Sequence, residues 1–402
     1  MIEGNSSSNV VDIAIIGAGP GGLSAAHALA RLGFSIRVFE RAKVLRPIGA
    51  ALGMGEMGYA ALAEIDAVLA QQVRESAVNP KRQVLMRPNG EVLFADESPL
   101  AGTDFTWLGW YNLQTCLYQA LPATVSLHLN HSLIGFTQTS NQGKEQLCLK
   151  FREQEDVYAR LLIGADGYNS AVRSITVADG APLYTGTMTW RGIVERKKLA
   201  PLADPFVEAA GFQLVVGEKK NFWIMDTGTE LLAWGGTALQ SNQEKSSSAL
   251  KTVLQVFDQW TPLVERVIRA TDPESIIETG VFDREPVQQW GNWKNVTLLG
   301  DAAHPMRPSL GLGTTMALQD AVALAKILAS TDLSDGEQLG DALRTYEQER
   351  IAITAPLQRL AREGGAASHA EDQADRLKEG FEAALAVRRQ APHTQTNLSQ
   401  KN

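Results

Sequence analysis

Cysteine is scarce in this chain: Cys116 and Cys148 are the only two among 402 residues. That argues against a disulfide-stapled scaffold and fits a reducing compartment, so a cytoplasmic protein is expected. Histidine numbers six, and His27, His128, His131, His369 and His393 show no ligand spacing, so no metal site is expected. Positive charge is also short. Lysine and arginine total 37 against 45 acidic residues, a net charge of −8, and no basic run stands out. Nucleic acid and anionic lipid are therefore not expected as partners. Residues 1–9 are polar and lack the basic and apolar segments of a signal peptide. No membrane span is expected, because the apolar stretch from Val10 to Leu32 is broken by Asp12, Arg31 and four glycines. No internal repeat is visible. A hydrophobic content of 44% supplies a sizeable core, for two or three domains or one two-lobed unit.

What the chain does have is concentrated first in Val10 to Arg41. The apolar run Val10 to Ile16 predicts a buried parallel strand. Gly17, Gly19 and Gly22 form a G-x-G-x-x-G turn, followed by a helical run to Leu32 and a second strand from Ser35 to Phe39. Gly17 permits the tight turn, Gly19 lets backbone approach a pyrophosphate, and Gly22 lets helix and strand pack closely. The phosphates then meet free N–H groups at a positive helix end. Glu40 follows about twenty residues on, where an acid accepts from a ribose hydroxyl, with Arg41 beside it. The pattern predicts a dinucleotide site, with FAD and NAD(P) both open as ligands.

The stretch from Arg41 to Gly55 has no clear period and is expected to be a loop in which Gly53 permits close backbone approach. Glu56 to Val73 is helical in pattern. Val84 to Phe94 predicts a hairpin around Pro88-Asn89-Gly90. A helix over Asn112 to Leu121 and strands at Val125–Leu129, Leu133–Thr137, Gln146–Phe151 and Ala159–Ile163 follow. Between about Gly180 and Gly280, Trp190, Trp223 and Trp234 sit in short β-like runs that suggest an antiparallel sheet. A helix over Ala249 to Ala270 is interrupted near Pro262. Val296 to Leu299 returns to parallel-strand character, with helices expected over Thr315–Ala329 and Leu343–Glu363. The end, from about Gln390, is polar.

The fold class expected is α/β: a Rossmann-like dinucleotide lobe, discontinuous in sequence, with an inserted antiparallel β-sheet lobe for substrate. Residues 1–80, 100–180 and 281–365 are assigned to the first lobe, and 81–99 and 181–280 to the second. Residues 366–402 are assigned to a C-terminal helix and polar tail.

Two further motifs stand at expected strand ends. Gly164-Ala165-Asp166-Gly167 is followed by Ser170 and Arg173, and Asp166 is placed either to reach a ligand or to cap the next turn. Gly300-Asp301-Ala302-Ala303-His304 is followed by Pro308 and Gly311-Leu312-Gly313, where a turn opens a helix whose positive end suits an anion.

In this order and spacing, over roughly Val10 to Arg362, the three motifs resemble the FAD-dependent aromatic-hydroxylase family of monooxygenases. That group includes p-hydroxybenzoate hydroxylase, salicylate hydroxylase and zeaxanthin epoxidase. The resemblance implies that Gly17, Gly19 and Gly22 hold the FAD pyrophosphate and Glu40 the adenosine ribose. It implies that Asp166 and Gly167 serve FAD and NAD(P)H binding, that Asp301 bonds the ribityl chain, and that Pro308 and Gly311 to Gly313 face the flavin. Trp190-Arg191-Gly192 resembles the family's Trp-Arg-Gly strand in the substrate lobe. The chemistry implied is reduction by NADPH or NADH as a transient reductant, O2 addition to a flavin C4a-hydroperoxide, and oxygen transfer to a small or medium aromatic or unsaturated substrate. The partners expected are that substrate and O2, with the protein a monomer or homodimer.

The chain departs from the family pattern in several places. Trp110 stands where many relatives have an Arg that supports FAD, Glu56-Met57 where they often have Pro-Asn, Thr315 where they have Asn, and Met225 where some have a pocket Tyr. Arg191 is the candidate to orient an acidic or phenolic substrate, with a strand-edge salt bridge as its structural alternative. His304 is a candidate acid or base, with a purely structural role as its alternative. A flavin oxidase or dehydrogenase, or a non-catalytic flavin-binding protein, remains open at this stage.

Overall fold

The computed structural model describes residues 10–47, 50–97, 105–141, 144–199, 211–367, 372–379 and 382. Residues 1–9 and the tail from Gln390, both expected to be polar, lie outside them. The elements run in chain order as β1 (Val10–Ile16), α1 (Pro20–Ala30), β2 (Ile36–Phe39), β3 (Ala51–Met54), α2 (Glu56–Ile65) and α3 (Ala67–Glu75). Then come β4 (Arg82–Met86), β5 (Val92–Asp96), β6 (Thr106–Gly109), α4 (Trp110–Gln119), β7 (Val125–His128), β8 (Leu133–Asn141), β9 (Lys144–Phe151), β10 (Val157–Gly164) and α5 (Ala171–Thr176). The second half carries β11 (Leu183–Glu195), β12 (Gly211–Gly217), β13 (Lys220–Asp226), β14 (Leu231–Leu239), α6 (Ala249–Val256), α7 (Pro262–Ala270), β15 (Ile277–Asp283), β16 (Val296–Leu298), α8 (Gly313–Leu328) and α9 (Gly336–Ala367).

One seven-stranded sheet has the order β7-β2-β1-β10-β9-β8, with β16 also paired to β10. β1 pairs in parallel with β2 and β10, and β10 in parallel with β16. Strands flanked this way on both faces need apolar side chains throughout, and Ile13, Ala14, Ile15, Leu161, Leu162 and Ile163 have no exposed surface. α8 packs against α1, α2 and α9 over this sheet. The second seven-stranded sheet has the order β15-β11-β14-β13-β12-β4-β5. It is antiparallel except where β12 meets β4. One of its faces buries Trp190, Phe222, Ile224 and Trp234 against α6 and α7. The hairpin around Asn89-Gly90 thus forms the edge of the second sheet, with Gly90 at φ 91°.

The chain leaves the first lobe after Asp179 and returns at Arg284, and Leu183 pairs directly with Asp283. This two-lobed α/β arrangement is the fold class expected from the sequence. Local expectations needed three corrections, and a fourth expectation, the break near Pro262, held. The stretch before Gly55 is not all loop, because Ala51–Met54 finds a partner in Thr106–Gly109. The helix from Glu56 breaks at Asp66, whose φ of −162° ends α2 and whose carboxylate accepts from Val68 and Leu69 N–H to cap α3. The interruption expected near Pro262 is present and divides α6 from α7, with the proline at the first position of α7. α9 begins several residues before Leu343 and runs 32 residues, with Pro356 inside it.

Candidate cofactor cleft

Parallel pairing brings the C-terminal ends of β1, β10 and β16 side by side, and each strand ends in one of the three motifs. Ile16 pairs with Gly164, and Gly164 with Leu298. The backbone continues the connection beyond the strands: Ala165 N–H donates to Ile16 O at 2.8 Å and Leu299 N–H to Gly164 O at 2.9 Å. Gly17 turns here with φ 106°, and a Cβ on it would overlap the carbonyl oxygen of Ala165. Gly22 approaches so closely that a Cβ would overlap Gly17 O and come within 3.2 Å of Ala165 Cβ. The glycines are therefore fixed by the crossing of two motifs, beyond any need of a single turn.

A cavity of about 410 Å³ opens at this crossing, a size suited to a small-molecule or cofactor fragment. It is lined by Gly17 and Gly19, by Glu40 and Arg41 with Arg46, by Asp166 and Gly167, and by Trp110 and Gln114. Glu40 sits as expected at the end of β2. Its Oε2 accepts from Ala18 N–H at 3.0 Å and its Oε1 from Ala42 N–H at 2.8 Å, so the carboxylate first braces the glycine turn. Each oxygen keeps a lone pair for a ligand hydroxyl. Asp166 fills one of the two roles left open by the sequence, capping the next turn. Its Oδ2 accepts from Ala171 N–H at 2.7 Å, while its Oδ1 is buried without a partner among the described residues. Burial pushes the Asp166 carboxyl up, against the hydrogen bonds from Ser170 and the backbone. An orphaned buried oxygen on a cavity wall is the signature of a donor yet to arrive.

Two helices present bare N-termini at the same sheet end. The N-cap of α1 is Gly19 and that of α8 is Leu312, and neither has a side-chain cap. Thr315 lies buried within the first turn of α8 and does not cap it. The free N–H groups and the helix dipole favour an anion at each end. Asp301 stands beside the second one, with Oδ1 3.7 Å from the point where a Gly313 Cβ would sit. Asp301 is exposed, yet the protein around it raises its carboxyl, with Asp320 adding to the rise and His304 opposing it. Pro308, Gly311, Leu312 and Gly313 belong to this second wall, outside the cavity around Gly17. At Gly53 the space a Cβ would need is occupied by the ring of Phe105, so packing beside the β3–β6 ribbon already requires glycine there.

His304 is also corrected. It has no exposed surface, and its Nε2 lies 2.6 Å from Asp320 Oδ2. Asp320 further accepts from Gly300 N–H at 2.8 Å and from Arg350 Nε at 2.6 Å. A ring locked in this cluster cannot reach a ligand in the cleft, so His304 holds the Gly300-Asp301 turn in place. Arg173 performs the matching task between motifs. It is fully buried, donates from Nη1 to Ala302 O at 3.1 Å and Ala303 O at 2.6 Å, and pairs with Asp179. Arg191 lies on β11 in the other lobe, away from the cavity around Gly17, and its Nε is buried without a partner. The salt-bridge alternative for it finds no acid among the described residues.

Sequence reasoning missed Gln114, Asp179, Arg284 and Arg350. Gln114 donates to Ala18 O at 2.7 Å from the first turns of α4, and Trp110 on the same helix packs beside Gly19. Only an amide at a helical position facing an apolar stripe marked Gln114 in advance.

The profile of the "FAD binding domain" family matches residues 10–361. Aurachin C monooxygenase/isomerase of Stigmatella aurantiaca is 29% identical over 352 residues, covering 84% of this chain and 85% of its own. A chloroplastic zeaxanthin epoxidase of Oryza sativa subsp. japonica is 29% identical over 375 residues, 87% of this chain; the match spans 54% of the epoxidase, about half its length. Among solved structures, HpxO of Klebsiella pneumoniae complexed with FAD and uric acid is similar with a TM-score of 0.74 and 25% identity, over 94% of this chain and 93% of that one. No described helix is long and apolar enough to cross a membrane.

Proposed function

Since the chain belongs to the FAD binding domain family, in its aromatic-hydroxylase-type branch, we propose that it is an NAD(P)H-dependent monooxygenase that hydroxylates or epoxidises a small-to-medium aromatic or unsaturated molecule. The observation that carries this reading is the meeting of three strand ends, Ile16, Gly164 and Leu298, with an orphaned Asp166 oxygen and two uncapped helix N-termini. The N-terminus of α1 with Gly17, Gly19 and Gly22 would hold the pyrophosphate, and Glu40 and Arg41 the adenosine ribose. Asp166 and Gly167 flank the same cavity. Asp301 would accept from the ribityl chain, and Leu312 and Gly313 would offer N–H groups to the pyrimidine edge. Bound FAD would supply the redox chemistry, taking hydride from NADPH or NADH and activating O2 so that one oxygen enters the substrate and the other leaves as water.

The remaining tasks fall to this chain's own side chains. Arg191 orients an acidic or phenolic substrate from the second sheet. The aromatic contact of Trp107 with Phe212, ring centroids 5.6 Å apart, closes the two lobes against water. The test is direct. Purified protein should be yellow, aromatic acids should accelerate NADH or NADPH oxidation, and 18O from O2 should appear in product. A chain that cannot take up FAD overturns the reading, and product lacking 18O would instead make it an oxidase or dehydrogenase.

A further inference from the structure

The second sheet has two unlike faces. Trp190 and Trp234 point toward α6 and α7, are fully buried, and donate their indole N–H groups to Glu278 at 3.0 Å and Thr271 at 2.9 Å. Trp223 points the other way. It is partly exposed, and its indole N–H has no partner among the described residues. That face looks toward the first lobe, since Phe212 on it meets Trp107 and Arg191 on it lies within electrostatic reach of Tyr168.

Three residues form one rung across this face. Arg191 pairs with Gly235, and Gly235 with Trp223. Directly paired residues of antiparallel strands share a face, so guanidinium and indole flank a position that carries no side chain. The indole has folded into that vacancy: Cε2 and Cζ2 lie 2.6 Å from where a Gly235 Cβ would be. Its ring therefore lies flat on the sheet and leans toward Arg191. The residues around Arg191 on this face, Thr189, Ile193 and Ile277, carry no negative charge. Arg191 is half-buried with its Nε fully enclosed, and a guanidinium so placed without an acid is a strong demand for an anion.

We propose that Trp223, laid flat over Gly235, is the platform on which the substrate ring stacks. Arg191 then takes the anionic oxygen at that ring's edge, a carboxylate, phenolate or ring enolate. This rests on the monooxygenase reading above and names its substrate class: planar and anionic, in preference to neutral or puckered. Met225, two residues along β13 on the same face, adds apolar width without a competing hydroxyl.

The experiment compares benzoate, benzamide and cyclohexanecarboxylate by ligand-observed NMR titration of the full chain, with and without added FAD, while flavin content is read by absorbance. The wild-type chain should bind benzoate about tenfold more tightly than its neutral amide, and about five- to tenfold more tightly than the puckered acid. Trp223→Leu should remove the ring preference and keep the charge preference; Arg191→Gln should do the reverse. Trp223→Phe, a milder change that guards against misfolding, should keep the ring preference. Absent or equal binding of the three probes by the wild-type chain overturns the proposal, as does a ring preference that survives Trp223→Leu. Discrimination by a chain that takes up no FAD supports the stacking platform and overturns the cofactor reading instead.

Discussion

Asp166 and Asp301 are alike in sequence, each just beyond the end of a strand, yet the fold uses them differently. Asp166 has one oxygen committed to the N-terminus of α5 and one left over. Asp301 is exposed beside the start of α8. Asp301→Ala should lower FAD affinity about ten- to hundredfold, the range for one hydrogen bond to a charged group; fluorescence titration of FAD checks it, and unchanged affinity would mean the third motif is misassigned. Asp320 gives a pH test. Burial alone would raise its carboxyl, but His304, Arg350 and the Gly300 N–H outweigh burial and bring it below its ordinary value of 3.8. A carboxyl depressed in the folded state stabilises the protein above the unfolded value, and that stability drains away as pH falls below it. Asp320→Asn should therefore melt well below wild type at pH 7, with the gap narrowing below about pH 4 in thermal scans. Glycines and strand-end acids were legible beforehand because φ limits and motif spacing are local. Asp320 with Arg350, or Arg173 with Ala303, were not, because their partners lie 30 and 130 residues away.

At the level of elements, α9 is the brace of the third motif. Tyr346, Arg350, Thr354, Gln358 and Arg362 recur every fourth residue and so form one ridge that winds gradually around the helix. From it Tyr346 donates to Leu298 O at 3.1 Å, Arg350 to Asp320, Gln358 to Pro305 O at 3.2 Å and Arg362 to Asp283 at 2.7 Å. The helix was legible as a period, but the role of its polar seam was not, since polarity alone does not distinguish water from buried carbonyls. The packing of α1 is equally exact in its demands. Gly22→Ala should push this helix off the β1–β10 junction, costing about 1–3 kcal/mol in urea unfolding and most FAD retention. Gly33→Ala, where a Cβ meets nothing within 4 Å, tests by contrast only the cost of φ 91°, and should leave FAD retention intact.

For the whole molecule, Asp179 does the most with one side chain. It pairs with Arg173 at 2.7 Å, holding motifs two and three, and with Arg284 at 2.7 Å, where the chain returns from the second lobe. Both arginines raise the stability of its charged form enough to overcome burial and lower its carboxyl. Asp179→Ala strands two buried guanidinium groups and should cost about 3–5 kcal/mol in equilibrium unfolding. A near-neutral result would mean that Arg173 and Arg284 are held by backbone carbonyls alone. The two-lobed architecture was visible in the alternation of patterns along the chain, whereas this fastening was not, because Asp179 sits in a loop with no period.

The direct pairing of Leu183 with Asp283 has an evolutionary and practical consequence. The excursion into the second lobe begins and ends one rung apart, so replacing it leaves no gap to span and adds almost no loop-closure entropy. The segment between those two residues is a graftable cassette. A different insert, arriving with its own arginine or none and its own aromatic platform, would change what is recognised while the dinucleotide scaffold keeps its geometry. The β4–β5 edge, contributed from outside the cassette, would have to be matched strand for strand, and the Trp107–Phe212 contact replaced.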